Sequence, residues 1–169
     1  MKELSGKVAI ITGATRKRGL GRAIAVALAR AGADVAVTGS ASHPPHLTDE
    51  ERNEGWRGVI DVAEELRSLS VRAHATSMDV RKAADVQRVI RETVEHFGRI
   101  DILVNNATYP RAGDRVPVQE LDDEVWRTIV DVNLTGAMLC CKYVARQMVA
   151  QNEGGSIINI SSGAALKAP

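Results

Sequence analysis

Gly13-Ala14-Thr15-Arg16-Lys17-Arg18-Gly19-Leu20-Gly21 is the stretch of this chain best suited to hold an anion. The apolar run Val8-Ala9-Ile10-Ile11 stops at it, and an alanine-rich amphipathic segment begins as it ends. That order predicts a strand, a tight turn and a helix. Glycines admit positive φ and close approach of a ligand. A helix that starts there aims its free N–H groups and positive dipole end at the turn. A nucleotide diphosphate is the anion such a turn fits. The spacing is neither G-x-G-x-x-G nor a Walker loop, so a glycine-rich turn without a ligand is the competing reading.

Other chemistry-bearing residues fall in a pattern. Gly39, Asp79, Asn105 and Ser161 each stand where an apolar or β-branched run gives out. Asn133 lies in the apolar stripe Trp126, Ile129, Val130, Ala137, Cys141, Val144, Met148 of a long helical segment, where a buried amide must find partners. Cys140 and Cys141 are adjacent on that segment, about 100° apart around a helix, and cannot form an ordinary bridge with each other. His43-x-x-His46, in a proline-rich stretch, has no cysteine nearby, and no metal site is expected.

The elements that must position these residues alternate. Strands are expected at Val8 to Thr12, Val35 to Thr38, Val71 to Thr76, Ile100 to Asn105 and Ser156 to Ile160. Helices are expected at Gly21 to Ala31 (stripe Ile24, Leu28, Ala31), at Val59 to Leu69, around Val86, Val89, Ile90, Val94 and Phe97, and at Asp123 to Ala150. Near-continuous Val/Ile strands, each followed by a helix, predict an α/β fold with a doubly wound parallel sheet covered on both faces. Ligands bind beyond the C-terminal strand ends of such a sheet, and Gly13, Gly39, Asp79, Asn105 and Ser161 all fall there. Residues 40–58, with Pro44-Pro45 and a run of charges, are long for a strand-to-helix connection. They read either as an insertion at the mouth of the site or as a solvated loop without a role.

Composition narrows the classes. The 169 residues suit one domain, residues 1–169, and with 3% aromatics its core is built from Val, Ile, Leu and Ala. A net charge of +1 argues against a nucleic-acid partner. No run of about 20 apolar residues predicts a membrane span, and the charged N-terminus does not read as a signal sequence. Two cysteines that cannot pair fit a reducing cytoplasm.

Thr12-Gly13…Gly19-Leu20-Gly21, Asp79-Val80, Asn105-Asn106-Ala107, Asp131-Val132-Asn133 and Ile158-Asn159-Ile160-Ser161-Ser162 occur in the order found in short-chain dehydrogenases/reductases, and the chain resembles that family along essentially its whole length. The nearest flavour is the 3-oxoacyl-acyl-carrier-protein reductase type. The resemblance implies a Rossmann-fold oxidoreductase that interconverts a ketone and a secondary alcohol by hydride transfer. It places Gly13, Gly19 and Gly21 at the pyrophosphate and adenosine ribose, with Thr15, Arg16, Arg18 and Leu20 on the same turn. Asp79 and the Val80 backbone would take the adenine, and Asn106 and Ala107 the ribose and nicotinamide side. Asn133 would hold a relay water through its main chain, and Ser162 would polarise the substrate carbonyl. The family also implies a homodimer or homotetramer through the long helix, where Met138 and Leu139 lie off the core stripe. Tyr109 and Pro110 would edge the substrate pocket.

Departures from the family pattern are informative. The turn holds five residues between Gly13 and Gly19, more than the family commonly has, which makes Arg16-Lys17-Arg18 a basic bulge. Thr108 replaces a usual glycine, and a β-branched residue disfavours positive φ. The family's Tyr-x-x-x-Lys pair is missing: Tyr109 is followed four on by Gly113 and Tyr143 by Gln147. The chain is therefore expected to be the N-terminal part of a longer reductase domain, inactive alone. The rival is a non-catalytic nucleotide-binding module that senses cofactor or scaffolds a partner. No carboxylate ends the second strand (Val37-Thr38-Gly39-Ser40), and Asp34 stands at its wrong end. With Arg16 and Arg18 as phosphate partners beside small Gly39 and Ser40, NADP(H) is the expected cofactor and NAD(H) the alternative.

Overall fold

The computed structural model describes residues 2–40, 47–109 and 114–163. Five strands, β1 (Val8–Ile11), β2 (Asp34–Gly39), β3 (Ala73–Ser77), β4 (Ile102–Asn105) and β5 (Ser156–Asn159), form one sheet of order β3-β2-β1-β4-β5. Every pairing is parallel. The helices are α1 (Leu20–Arg30), α2 (Asp49–Asn53), α3 (Val59–Ser68), α4 (Ala83–Phe97), α5 (Asp123–Val130) and α6 (Gly136–Gln151).

The period-two alternation of a strand builds the two cores. On one face Val8, Ile10, Ala36 and Leu103 pack with Val86, Val89 and Phe97 of α4 and Cys140, Val144 and Met148 of α6. On the other, Ala9, Ile11, Val35, Val37 and Val104 pack with Ala25 and Ala29 of α1 and Val62 and Leu66 of α3. Strand order reverses between β1 and β4, so the crevice of a doubly wound sheet opens beyond Ile11 and Asn105.

Four local expectations change. The stripe of α1 that meets the sheet is Gly21, Ala25 and Ala29, with Ile24 and Leu28 only partly buried beside it. Small residues win because they let the helix axis come closest to the strands. The segment expected as one helix from Asp123 is interrupted: residues Asp131–Thr135 form a π turn between α5 and α6. Such a turn inserts one residue into the ladder and shifts the helix face. It separates Trp126, which is exposed, from the buried run Gly136, Cys140, Val144 and Met148. Leu139, expected off the core, packs against it, while Met138 is about half exposed. The 40–58 connection contains α2, whose five residues form where a loop alone was expected. His43, Pro44, Pro45 and His46 lie outside the described residues.

Candidate dinucleotide site

The site is built on Thr12, the buried residue that leaves β1. Its hydroxyl oxygen accepts the backbone N–H of Asn106 (3.0 Å) and of Ala107 (2.9 Å) and donates to the Val104 carbonyl (3.4 Å). Asn106 answers by donating its side-chain amide to the carbonyls of Thr12 (2.9 Å) and Gly13 (3.0 Å). The loops after β1 and β4 are thereby locked together across the reversal point. Gly13 has φ +72°, and a Cβ on it would lie 2.7 Å from the Ala107 Cα, so only glycine fits the turn. A Cβ on Gly21 would meet the Asn106 side-chain nitrogen at 2.6 Å, which explains how α1 starts so near the β4 loop.

The α1 N-terminus suits an anion. Gly19 provides no side-chain cap, and the first turn carries no carboxylate. By contrast Thr48 caps α2 through the Glu51 N–H, and Asp122 caps α5 through the N–H groups of Glu124 and Val125. α3 and α4 also have no side-chain cap but carry Asp61 and Asp85 in their first turns, whereas α1 has neither and leaves its N–H dipoles to the glycine turn. That is the chemistry a pyrophosphate requires, and the residues present fit one.

The basic bulge has a different fate from the one its sequence suggests. Arg16 Nε lies 2.7 Å from Glu51, Lys17 Nζ 2.6 Å from Glu54, and an Arg18 guanidinium nitrogen 3.1 Å from Glu50. Glu51 is also the acceptor for the Lys17 N–H (2.7 Å) and the Thr48 N–H (2.8 Å), and its side chain is 5% exposed. Burial pushes the Glu51 carboxyl up, but those two amides and the Arg16 guanidinium outweigh it and hold the group below its ordinary value. The Trp56 indole N–H donates to the Thr15 carbonyl (2.8 Å), and the Thr15 hydroxyl sits against Gly39 at the end of β2. Glu51 and Trp56 were missed in the sequence. The one local sign, Thr48 three residues before Glu51 as a capping box, announces a helix start and says nothing of the turn 34 residues away.

The remaining candidates are placed as follows. Leu20 opens α1 and is exposed, and Ser40 directly follows β2. Asp79 follows β3 and is held by Arg81 through two guanidinium contacts of 2.9 and 2.8 Å. That guanidinium keeps its carboxyl below the ordinary range. Val80 is buried against Gly136, the first residue of α6. Asn133 sits in the π turn, exposed rather than buried as its stripe position suggested, and its side-chain oxygen accepts the Tyr109 N–H (2.8 Å). This contact ties the π turn to the loop after β4. Ser162 stands just beyond β5. Asp34, at the N-terminal end of β2, pairs with Arg72 (2.7 Å) and is remote from the turn. Pro110 lies outside the described residues. Among the described residues no helix is long and apolar enough to cross a membrane.

Residues 7–169 match the short chain dehydrogenase family. The chain belongs to that family. A short chain dehydrogenase/reductase of Aspergillus oryzae is 41% identical over 160 residues, covering 94% of this chain and 54% of that protein. An uncharacterised NAD-dependent oxidoreductase of Mycobacterium tuberculosis is 40% identical over 172 residues, covering 98% and 58%. Among solved structures, NAD+-bound xylitol dehydrogenase superposes with a TM-score of 0.80 at 32% identity, covering 99% of this chain and 57% of that one. This short-chain dehydrogenase sequence therefore spans little more than half the length of the relatives it matches. The Rossmann arrangement expected from the alternating elements is the arrangement found.

Proposed function

We propose that the protein is a nicotinamide-dinucleotide-dependent oxidoreductase that interconverts a small ketone and a secondary alcohol. The observation that carries the reading is the locked β1–β4 crevice beneath an uncapped α1 N-terminus, where Gly13 leaves no room for a side chain. Gly13, Gly19 and Gly21 hold the pyrophosphate against the α1 amides. Thr15, Gly39 and Ser40 border the adenosine ribose, and Asp79, fixed by Arg81, accepts from the adenine amine while the Val80 backbone assists. Asn106 and Ala107 flank the nicotinamide ribose, and Leu20 opens α1 on the glycine turn. The bound nicotinamide supplies or accepts the hydride. At the reacting end the Ser162 hydroxyl orients the substrate oxygen, and Asn133 holds the π turn in register with the Tyr109 backbone. These residues form the cofactor-binding portion of a longer reductase domain, a reading supported by the share of each relative that the chain spans. The expected setting is the cytoplasm and the expected assembly a homodimer or homotetramer.

The proposal covers both NAD(H) and NADP(H), because the cations that pointed to NADP(H) are paired with carboxylates. A panel of ketones and secondary alcohols, run on the full-length protein with each cofactor, is expected to show turnover with at least one pair. Dinucleotide binding without turnover on any substrate would favour a binding module instead. Failure to bind any dinucleotide would overturn the reading.

A further inference from the structure

Choice between the two dinucleotides depends on one group, the 2′-phosphate on the adenosine ribose. A phosphate dianion needs cations whose donors are available, best a bidentate guanidinium. A ribose hydroxyl needs no cation. The rim that would meet this group is formed by the end of β2 and by Thr15 to Arg18, and residues 48–58 lie along it. Thr15 touches Gly39 on one side and Gly58 on the other (3.0 Å from a Cβ built there), and its carbonyl is held by Trp56.

Among the described residues each lysine and arginine of this rim already has a carboxylate. Arg16, Lys17 and Arg18 pair with Glu51, Glu54 and Glu50. Arg22 makes a two-pronged contact with Glu65, both distances 2.7 Å, and donates to the Lys17 carbonyl (2.9 Å). Arg57 pairs with Asp61 and Glu64. The three cations of the bulge thus meet three carboxylates, and their charge is cancelled where it would be used. Glu51 anchors the arrangement, since its buried carboxylate joins the Arg16 side chain, the Lys17 amide and the α2 cap. Moving the segment aside would strand that charge and leave the amides unsatisfied.

We propose that residues 48–58 set the cofactor preference of this protein, by occupying the cations of the glycine turn with Glu50, Glu51 and Glu54 so that NAD(H) is bound in preference to NADP(H). The proposal rests on the dinucleotide reading of the site. It replaces the usual single carboxylate after β2, absent here, by an acidic segment that acts on the turn from outside. A 2′-phosphate brought to this rim would face the three carboxylates at close range while competing with them for the same guanidinium and ammonium groups.

Calorimetric titration of the full-length protein with NAD+ and with NADP+ tests it. The wild type is expected to bind NAD+ at least about tenfold more tightly. The double variant E50Q/E54Q removes two charges from solvent-exposed side chains and leaves Glu51 in place. It is expected to tighten NADP+ by about tenfold while NAD+ changes less than about twofold. Charge reversal by E50K alone is expected to move NADP+ in the same direction, and urea melts of both variants verify that the fold is kept. Equal wild-type affinities, or variants that leave the NAD+ to NADP+ ratio unchanged, would overturn the proposal. Loss of binding for both dinucleotides in the wild type would overturn the dinucleotide reading itself.

Discussion

The glycine turn has two sides built from different materials. Its inner side, against Asn106 and Ala107, is held by neutral hydrogen bonds of 2.9 to 3.0 Å and has no space for an added Cβ at Gly13. Its outer side, against residues 48–58, has two backbone bonds, to Glu51 and Trp56, and otherwise rests on ion pairs between side chains, some of them largely in water. Neutral bonds to backbone fix a shape, and few substitutions can preserve them. Exposed ion pairs fix a charge balance and tolerate exchange. On the proposed reading, the inner side decides whether a dinucleotide binds at all, and the outer side tunes preference among dinucleotides.

The largest expected break in this contrast is Gly13→Val. A β-branched side chain at positive φ, pressed onto the Ala107 backbone, is expected to cost about 4 kcal/mol of stability. Any folded fraction should lose dinucleotide affinity by more than about a hundredfold, read by thermal melts and titration. Thr12→Val comes next. It strands the amides of Asn106 and Ala107, at about 3 kcal/mol in urea unfolding, whereas Thr12→Ser keeps the oxygen and should recover most of it.

Glu51→Ala removes the one buried charge of the outer side and is expected to cost about 2 kcal/mol at pH 7. Its folded carboxyl is held below the ordinary value of 4.5, so the folded state favours the ionised form. That contribution is fully present above the ordinary value and is lost as pH falls through the lower, folded one. The stability gap between wild type and Glu51→Ala should therefore narrow steadily on acidification below about pH 4.5. Arg18→Ala should be the mildest: its partner Glu50 is exposed, and a melt is expected to move by less than about 0.5 kcal/mol. A large effect there would erase the distinction between the two sides.

Much of the inner side was legible in the sequence because its signals are local. Val8 to Ile11 ending at glycine, and Asn106-Ala107 ending another apolar run, each declare a strand end within a few residues, and the parallel sheet brings those ends together. Gly13, Gly21, Asn106 and Ala107 lie against one another at these strand ends. The outer side was hidden because its meaning is non-local. Arg16-Lys17-Arg18 reads as open charge until a five-residue helix, too short to be stable alone, docks its carboxylates from more than 30 residues away. The π turn escaped notice for another reason. Its residues Asp131 to Thr135 keep an apparently continuous helical pattern, and a single inserted residue leaves no compositional mark. Asn133 falls in a stripe that reads as buried, yet no residue of α5 or of the π turn is buried, and the Asn133 side-chain oxygen accepts the Tyr109 N–H instead.

The indole of Trp56, bonded to the Thr15 carbonyl, turns this rim into its own optical sensor. Only two tryptophans occur in these 169 residues, and the second, Trp126, lies on the exposed side of α5. Replacing Trp126 by phenylalanine would leave a lone indole in this stretch, hydrogen-bonded to the backbone at the proposed adenosine end. Its emission should shift whenever that backbone is displaced, so occupancy could be followed in real time without an attached dye.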